Sequence, residues 1–399
     1  MRPRALLAAL LAALALAAPA VAVAPSDLSA DPLDRAALLA LPSVYRVDVT
    51  IRVNALRLAD GTRVALRPKA RDITESGTAV AVAPGGWLVS AAHVAAPDGP
   101  TIARLAYQSD LATRGLEHGD EAAATRWVAE NGAVALGPGV TSVTVSQADP
   151  GVGTAESRAF EVLDVEPSQA SDLALVRIDA PGAPALALDE AASRGTPIIT
   201  IGFGTGSSLR AAEPEPVRGE HEPAIRRGTI TRNGVLESED PPRPAIAISA
   251  PVERGDSGGP VVDGEGRVRG IVTLRNAQGG IAERATDVRQ LLEANDVDPG
   301  PGASADLFRA AMTAFWSLDL AEAEQGFGAT RQVFPQHTLA GTEQARAAAL
   351  ADGDFALEGE RRHGALLAVG ILAAVAALAC AAGLALPSLT GGRRGTTAR

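Results

Sequence analysis

The sequence predicts an all-β core of barrel or sandwich type carrying a helical insert, then a short α-helical segment and one transmembrane helix. Three observations carry this reading. From about Ser43 to Glu293, short β-rich runs alternate with Gly, Pro and Asp punctuation, the pattern of many short strands joined by turns. From Ala303 to Gly359 the apolar residues instead recur at helical spacing. From Ala365 to Leu386 no charged residue interrupts an apolar stretch, which is long enough to cross a bilayer.

At the N-terminus, Arg2 and Arg4 precede an apolar run from Ala5 to Ala18 that Pro19 breaks. Ala18-Pro19-Ala20 and Ala20-Val21-Ala22 then offer small-residue cleavage sites, so residues 1–22 read as a secretory signal peptide. The run is short for a membrane anchor. In the core, 43–294, strands are expected at Val44–Val53, Thr78–Val82, Trp87–Ser90, Thr141–Val145 and Ala159–Val165. Leu173–Ile178, Ile198–Gly202, Ile246–Ile248, Val261-Val262 and Val268–Leu274 complete the set. Ile102–Asn131 is rich in Ala, Leu, Glu and Arg and reads as one or two helices inserted between strands. A polar, proline-rich loop runs from Thr205 to Pro223.

Residues 295–302 include Asp298-Pro299-Gly300-Pro301-Gly302 and read as a linker. Beyond it, Leu307, Ala311, Ala314 and Phe315 outline one helix. Leu320, Ala323, Phe327 and Thr330 outline a second, which Pro335 closes, and Leu339 to Leu350 opens a third. The order Ala323, Phe327, Pro335 resembles the second half of a tetratricopeptide repeat, while the first helix lacks the Trp-Leu-Gly-Tyr set. For 303–359 a plain stalk or hairpin and a peptide-binding repeat both stay open, the latter with a protein partner. Arg393, Arg394 and Arg399 in the tail 387–399 have no acidic company. Basic residues favour the cytoplasmic side, so the tail points inward and residues from about Val23 to His363 lie outside. The chain is thus expected in the cell membrane, single-pass, with its β core extracytoplasmic.

Composition narrows the field further. Cys380, the single cysteine, sits in the transmembrane stretch, so the exported part is held by its core without disulfides. Lys69 is the one lysine among 36 basic residues, a coding bias of a GC-rich bacterial genome. A net charge of −11 without a basic stripe in the exterior part excludes nucleic-acid binding. Neither a metal-ligand cluster nor a phosphate-binding loop appears, so no cofactor and no metal is expected.

Three motifs carry chemistry. In Gly255-Asp256-Ser257-Gly258-Gly259-Pro260 a serine stands in a tight glycine-rich turn. Such a turn frees the hydroxyl, lets the N–H groups of Gly255 and Ser257 converge as an oxyanion hole, and admits a substrate carbonyl close to the backbone. Val89-Ser90-Ala91-Ala92-His93-Val94 closes a strand with an imidazole that can face a cleft. Of five histidines, only His93 has such an apolar strand-end setting. Ser171-Asp172-Leu173-Ala174-Leu175-Val176-Arg177-Ile178 places Asp172 immediately before an alternating strand, within reach of the His93 Nδ1.

Taken together, in the chain order His93, Asp172, Ser257, these motifs closely resemble the chymotrypsin/trypsin-like serine protease family, not subtilisins or α/β-hydrolases. The resemblance spans roughly Ser43 to Glu293 and is specific at the three motifs. It implies two six-stranded antiparallel β-barrels with a catalytic triad of His93, Asp172 and Ser257 in the cleft between them. Gly270-Ile271-Val272-Thr273-Leu274 aligns with the strand lining the primary specificity pocket. Thr273 falls where the family has a serine that hydrogen-bonds the triad aspartate. Pro251 stands where trypsin has an aspartate, and Val252 follows, so a small or medium apolar residue is expected before the scissile bond. The lack of cysteine pairs fits bacterial members and the high-temperature-requirement branch, though that branch's peptide-binding module is not evident here.

The activity implied is peptide-bond hydrolysis by acyl transfer, on protein or peptide substrates, with His93 as base, Asp172 orienting it and Gly255 and Ser257 holding the oxyanion. A catalytically silent scaffold and an esterase are the alternatives. A chain ending near Asp298 is expected to stay soluble and active, with 303–359 a spacer or docking element. Animal members pair the aspartate before the nucleophile with a new N-terminal amine. Ser43-Val44-Tyr45-Arg46-Val47-Asp48 holds no such activation site, so Asp256 is expected to have an internal partner, an arginine or backbone amides.

Overall fold

The computed structural model describes residues 31–66, 71–113, 121–149, 153–154, 158–165, 171–204, 223–236, 243–276 and 278–351. The expected signal peptide 1–22, the stretch 365–386 and the tail 387–399 lie outside the described residues, as does most of the loop from Thr205 to Pro223. Among the described residues no helix is long and apolar enough to cross a membrane.

Strand β1 (Val44–Val53) shows why the first half folds as it does. Apolar residues alternate with polar ones, so Val47, Val49, Ile51 and Val53 fall on one face and are fully buried. Through β2 (Ala55–Arg57) and β3 (Arg63–Ala65) the chain reaches β4 (Arg71–Ala83) and β5 (Trp87–Ala91). A one-turn helix, α2 (Ala92–Ala95), follows, α1 being the N-terminal helix Pro32–Ala40. Next come α3 (Gly99–Thr113), α4 (Glu121–Asn131), β6 (Val134–Leu136), β7 (Gly139–Asp149), β8 (Gly153–Thr154), β9 (Arg158–Ala159), β10 (Glu161–Val165) and β11 (Leu173–Arg177). Pairing runs β10-β11-β5-β4-β1-β7-β8, with β9 also on β7. The first half is therefore an eight-stranded sheet packed on Tyr45, Val47, Leu88, Ala174 and Val176, not the closed six-stranded barrel that the resemblance implied, because among the described residues β9 pairs with β7 and not with β10.

The second half is a closed barrel in the order β12-β13-β14-β17-β16-β15. Its strands are β12 (Pro197–Gly202), β13 (Ala224–Leu236), β14 (Arg243–Ile248), β15 (Pro260–Asp263), β16 (Val268–Asn276) and β17 (Gly279–Arg284). Ile198, Ile230, Ile246, Ile248, Val261 and Val272 fill it. At the β15–β16 turn, Arg269 is neutralised by Asp263 at 2.6 Å and Asp189 at 2.6 Å. All six second-half strands are antiparallel, as the family resemblance implies.

The insert expected at Ile102–Asn131 is α3 and α4. Tyr107 and Trp127 stack between them with centroids 4.0 Å apart, beside the small sheet β3-β2-β6. Helices α5 (Ala285–Ala294), α6 (Ala303–Trp316), α7 (Leu320–Val333) and α8 (Ala340–Ala351) follow the second barrel. Phe308, Phe315 and Phe327 meet between α6 and α7.

This helical segment is not a free spacer, and residues 295–302 are not a free linker. Val297 is buried and the Gly300 N–H donates to the Val82 carbonyl at 3.0 Å. Ser304 Oγ donates to the Gly182 carbonyl at 2.7 Å, and Phe334, after α7, is buried in the core of the first-half sheet. The physical reason is apolar: Phe334 belongs to no helical stripe, so helical periodicity did not assign it a partner. Helix α1 was also not expected. Asp31 caps it, donated to by the Leu33 N–H at 2.8 Å, and Arg227 holds it through Asp31 at 2.7 Å and through Asp34.

Candidate active site

Antiparallel pairing of β5 with β11 sets Leu173 opposite Ala91, which brings the residue before β11 beside the residues after β5. Asp172 and His93 therefore meet. The Ala92 N–H donates to the Asp172 carbonyl at 3.0 Å, and the His93 N–H donates to Asp172 Oδ1 at 3.0 Å. His93 Nδ1 lies 2.6 Å from Asp172 Oδ2. A carboxylate only accepts, so this bond places the ring proton on Nδ1 and leaves Nε2 as a base. Burial opposes a charged imidazole, but the hydrogen bond and charge of Asp172, with the charge of Glu75, outweigh it. The His93 pKa is held above the ordinary value, with Arg104 pulling weakly the other way.

The loop before β15 shapes the serine. Gly255 has φ +96° and Gly258 φ +88°, in the region that glycine alone visits readily. Space is also denied to a side chain at both: a Cβ would lie 2.2 Å from the Phe203 carbonyl oxygen at Gly255 and 1.8 Å from that of Thr78 at Gly258. Thr78 on β4 fixes the loop, its N–H donating to the Ser257 carbonyl at 2.8 Å and its hydroxyl to the Gly255 carbonyl at 2.7 Å. The N–H groups of Gly255 and Ser257 donate to no group among the described residues. Ser257 Oγ itself donates to the Thr273 carbonyl at 3.3 Å.

Asp256 has the internal partner expected of it, and the partner is an arginine. Arg226 on β13 donates to Asp256 Oδ2 at 2.7 Å and to Glu253 at 2.9 Å, and the Glu253 N–H adds a bond at 2.8 Å. Burial pushes the Asp256 carboxyl pKa up, and Arg226 with the Glu253 amide opposes that only in part. Sequence reading left this arginine unnamed, because Arg226-Arg227 sits in a β13 that no alternation announced.

His93 and Ser257 face one cleft of about 230 Å³, shared with Glu75, Arg104, Val252, Glu253 and Thr273. The insert thus reaches the cleft through Arg104 of α3. Of the expected pocket residues, Val252 and Thr273 line the cleft, but Pro251 is exposed and does not. Val252 is buried at 5% exposure and packs into the space beside Gly280, its Cγ2 2.4 Å from where a Cβ there would stand. Thr273 does not bond Asp172 as the resemblance implied. Its hydroxyl donates to Glu283 Oε1 at 3.4 Å, and the Asp172 N–H reaches that same oxygen at 3.3 Å. Glu283 is fully buried on β17 and was missed. Glu283 shares its face of β17 with Ile281, opposite the barrel-core face that Ala282 occupies, so barrel alternation alone gave no sign that it is buried.

Residues 77–271 match the family model described as Trypsin-like peptidase domain. With the second barrel and the cleft that His93 and Ser257 share, this supports a serine-type peptidase of the trypsin-like class. Comparison with the curated proteins finds no match. Among solved structures, the HtrA-type protease AlgWS227A with a decapeptide is similar at 18% identity and a TM-score of 0.43, over 66% of this chain and 67% of that one. The same protease with a tripeptide is similar at 16% identity and a TM-score of 0.39, over 65% of this chain and 62% of that one.

Proposed function

We propose that this chain is a serine endopeptidase, held at the outer face of a bacterial membrane, that cleaves protein or peptide substrates through an acyl-enzyme. The observation that carries it is the 2.6 Å bond from His93 to Asp172 in the cleft that also holds Ser257. In this reading the Ser257 hydroxyl exchanges its bond to the Thr273 carbonyl for one to His93 Nε2. It then attacks the scissile carbonyl while His93 takes its proton. The tetrahedral oxyanion is held by the N–H groups of Gly255 and Ser257, and Asp172 stabilises the imidazolium. His93 returns the proton to the leaving amine, and water repeats the sequence to release the acid.

Val252 lines the cleft, and Glu253 is neutralised by Arg226 at 2.9 Å. A small or medium apolar residue before the scissile bond is therefore the substrate class, and a cleavage profile dominated by Arg and Lys would refute this. Tethering rests on the sequence, on residues 1–22 and 365–386. Labelling by a fluorophosphonate probe tests the chemistry. Labelling of the wild-type chain that disappears in Ser257→Ala is expected. A folded chain that neither labels nor cleaves would instead be a scaffold, and cleavage of ester but not peptide substrates would make it an esterase.

A further inference from the structure

Outside the cleft that holds Ser257, a cavity of about 520 Å³ opens where α1, the β15–β16 turn and α6 meet. That volume suits a small ligand or a few residues of peptide. Its apolar wall includes Leu39, Pro301 and Trp316, and its cationic wall Arg35, Arg267 and Arg309, against a single lining carboxylate, Glu265. The three arginines differ in what already neutralises them. Arg267 is paired with Asp189 at 2.7 Å, Asp263 at 3.1 Å and Glu265 at 2.9 Å. Arg35 lies over the Trp316 ring, 4.7 Å from its centroid. Arg309 is half-buried yet makes no ion pair among the described residues; the one hydrogen bond of its guanidinium goes to the Glu265 carbonyl at 2.8 Å.

A half-buried guanidinium with five donors and one neutral acceptor is short of an anion. Its titration agrees: burial pushes the Arg309 pKa down, Arg267 adds to that, and Asp306, Asp263 and Glu265 oppose it only from longer range. A bidentate carboxylate would satisfy the remaining donors, and the apolar wall would take the group that carries it. The turn is pinned by the Asp263 and Asp189 ion pairs, so the cavity does not depend on the ligand for its shape.

We propose that this cavity binds a carboxylate carried next to an apolar group, with Arg309 receiving the carboxylate and Trp316 the apolar part. The site is independent of the peptidase reading. Two sources share the chemistry, the free C-terminus of an apolar peptide and a small aliphatic carboxylate. Calorimetric titration of the full chain with N-acetyl-leucyl-phenylalanine, its C-terminal amide and octanoate separates them. The acid is expected to bind at least tenfold more tightly than the amide. Arg309→Gln should abolish that preference and Arg309→Lys, which keeps the charge, should retain part of it. Octanoate binding as tightly as the peptide acid assigns the cavity to small carboxylates, and weaker binding assigns it to peptide termini. Equal affinity for acid and amide, binding of neither, or a preference that survives Arg309→Gln in a chain that still melts cooperatively would overturn the proposal.

Discussion

His93 sits between opposing influences: burial works against its charge, while Asp172 and Glu75 favour it, and the balance raises its pKa. A base must be neutral to act, so kcat/KM should rise with pH through a limb displaced above that of an ordinary imidazole. Glu75→Gln removes one of the raising charges and should move the limb to lower pH; a limb unmoved or moved upward would contradict this. Ser257→Ala or His93→Ala should lower turnover by about 10⁴-fold or more, measured on a peptide substrate. A second residue-scale test concerns Arg226. It is the cation within ion-pair distance of a carboxylate that is 2% exposed, and removing one partner of such a pair leaves a buried charge uncompensated. Arg226→Met should destabilise the fold by about 3–5 kcal/mol in denaturant titration, and adding Asp256→Asn should recover part of the loss. Full stability of Arg226→Met alone would show the pair to be unimportant.

At the scale of elements, what was legible depended on whether a segment announced its period. Val44–Val53 was read to the residue, because strict alternation leaves one register. Leu173 and Trp87 were placed as strand starts, and with them the meeting of Asp172 and His93. By contrast, β13 carries Arg226-Arg227-Gly228 and lacks alternation, so the strand and its Asp256 contact went unread. Glu283 was obscured for another reason: it lies on the face of β17 away from the barrel core, where a charged residue is expected to meet water, yet it is fully buried. The helical segment was left open as a spacer or docking element, and Phe334 and Ser304 make contacts that local periodicity does not encode. Their consequence reverses the expectation for a shortened chain. Ending the chain near Asp298 would uncover the first-half core that Phe334 covers and remove the Ser304 bond to Gly182. Burial of a phenylalanine contributes about 1.5–3 kcal/mol, so the shortened chain should melt at lower temperature or aggregate. An unchanged melting temperature would restore the spacer reading.

At the scale of the whole molecule, these contacts bear on how the enzyme becomes competent. In animal relatives by resemblance, a cut near the start of the first barrel frees an amine that pairs with the aspartate before the serine. Here Arg226 already holds Asp256 at 2.7 Å, and the Glu253 amide adds a second bond to the same oxygen. The corresponding stretch is also committed elsewhere. Val44 and Tyr45 are buried within β1, and β1 is paired with both β4 and β7, so an end generated there would have to leave the sheet to reach Asp256. A cut at that point would also release α1, which Arg227 ties to the second barrel through Asp31 and Asp34. Such a cut should therefore destabilise the domain without raising its activity. The expected outcome is that active, purified enzyme begins just after signal removal, near Val23 or Pro25, and that limited proteolysis between Leu41 and Val47 lowers the melting temperature and the rate together. An active form beginning between Val44 and Val47, with activity appearing only after that cut, would refute it.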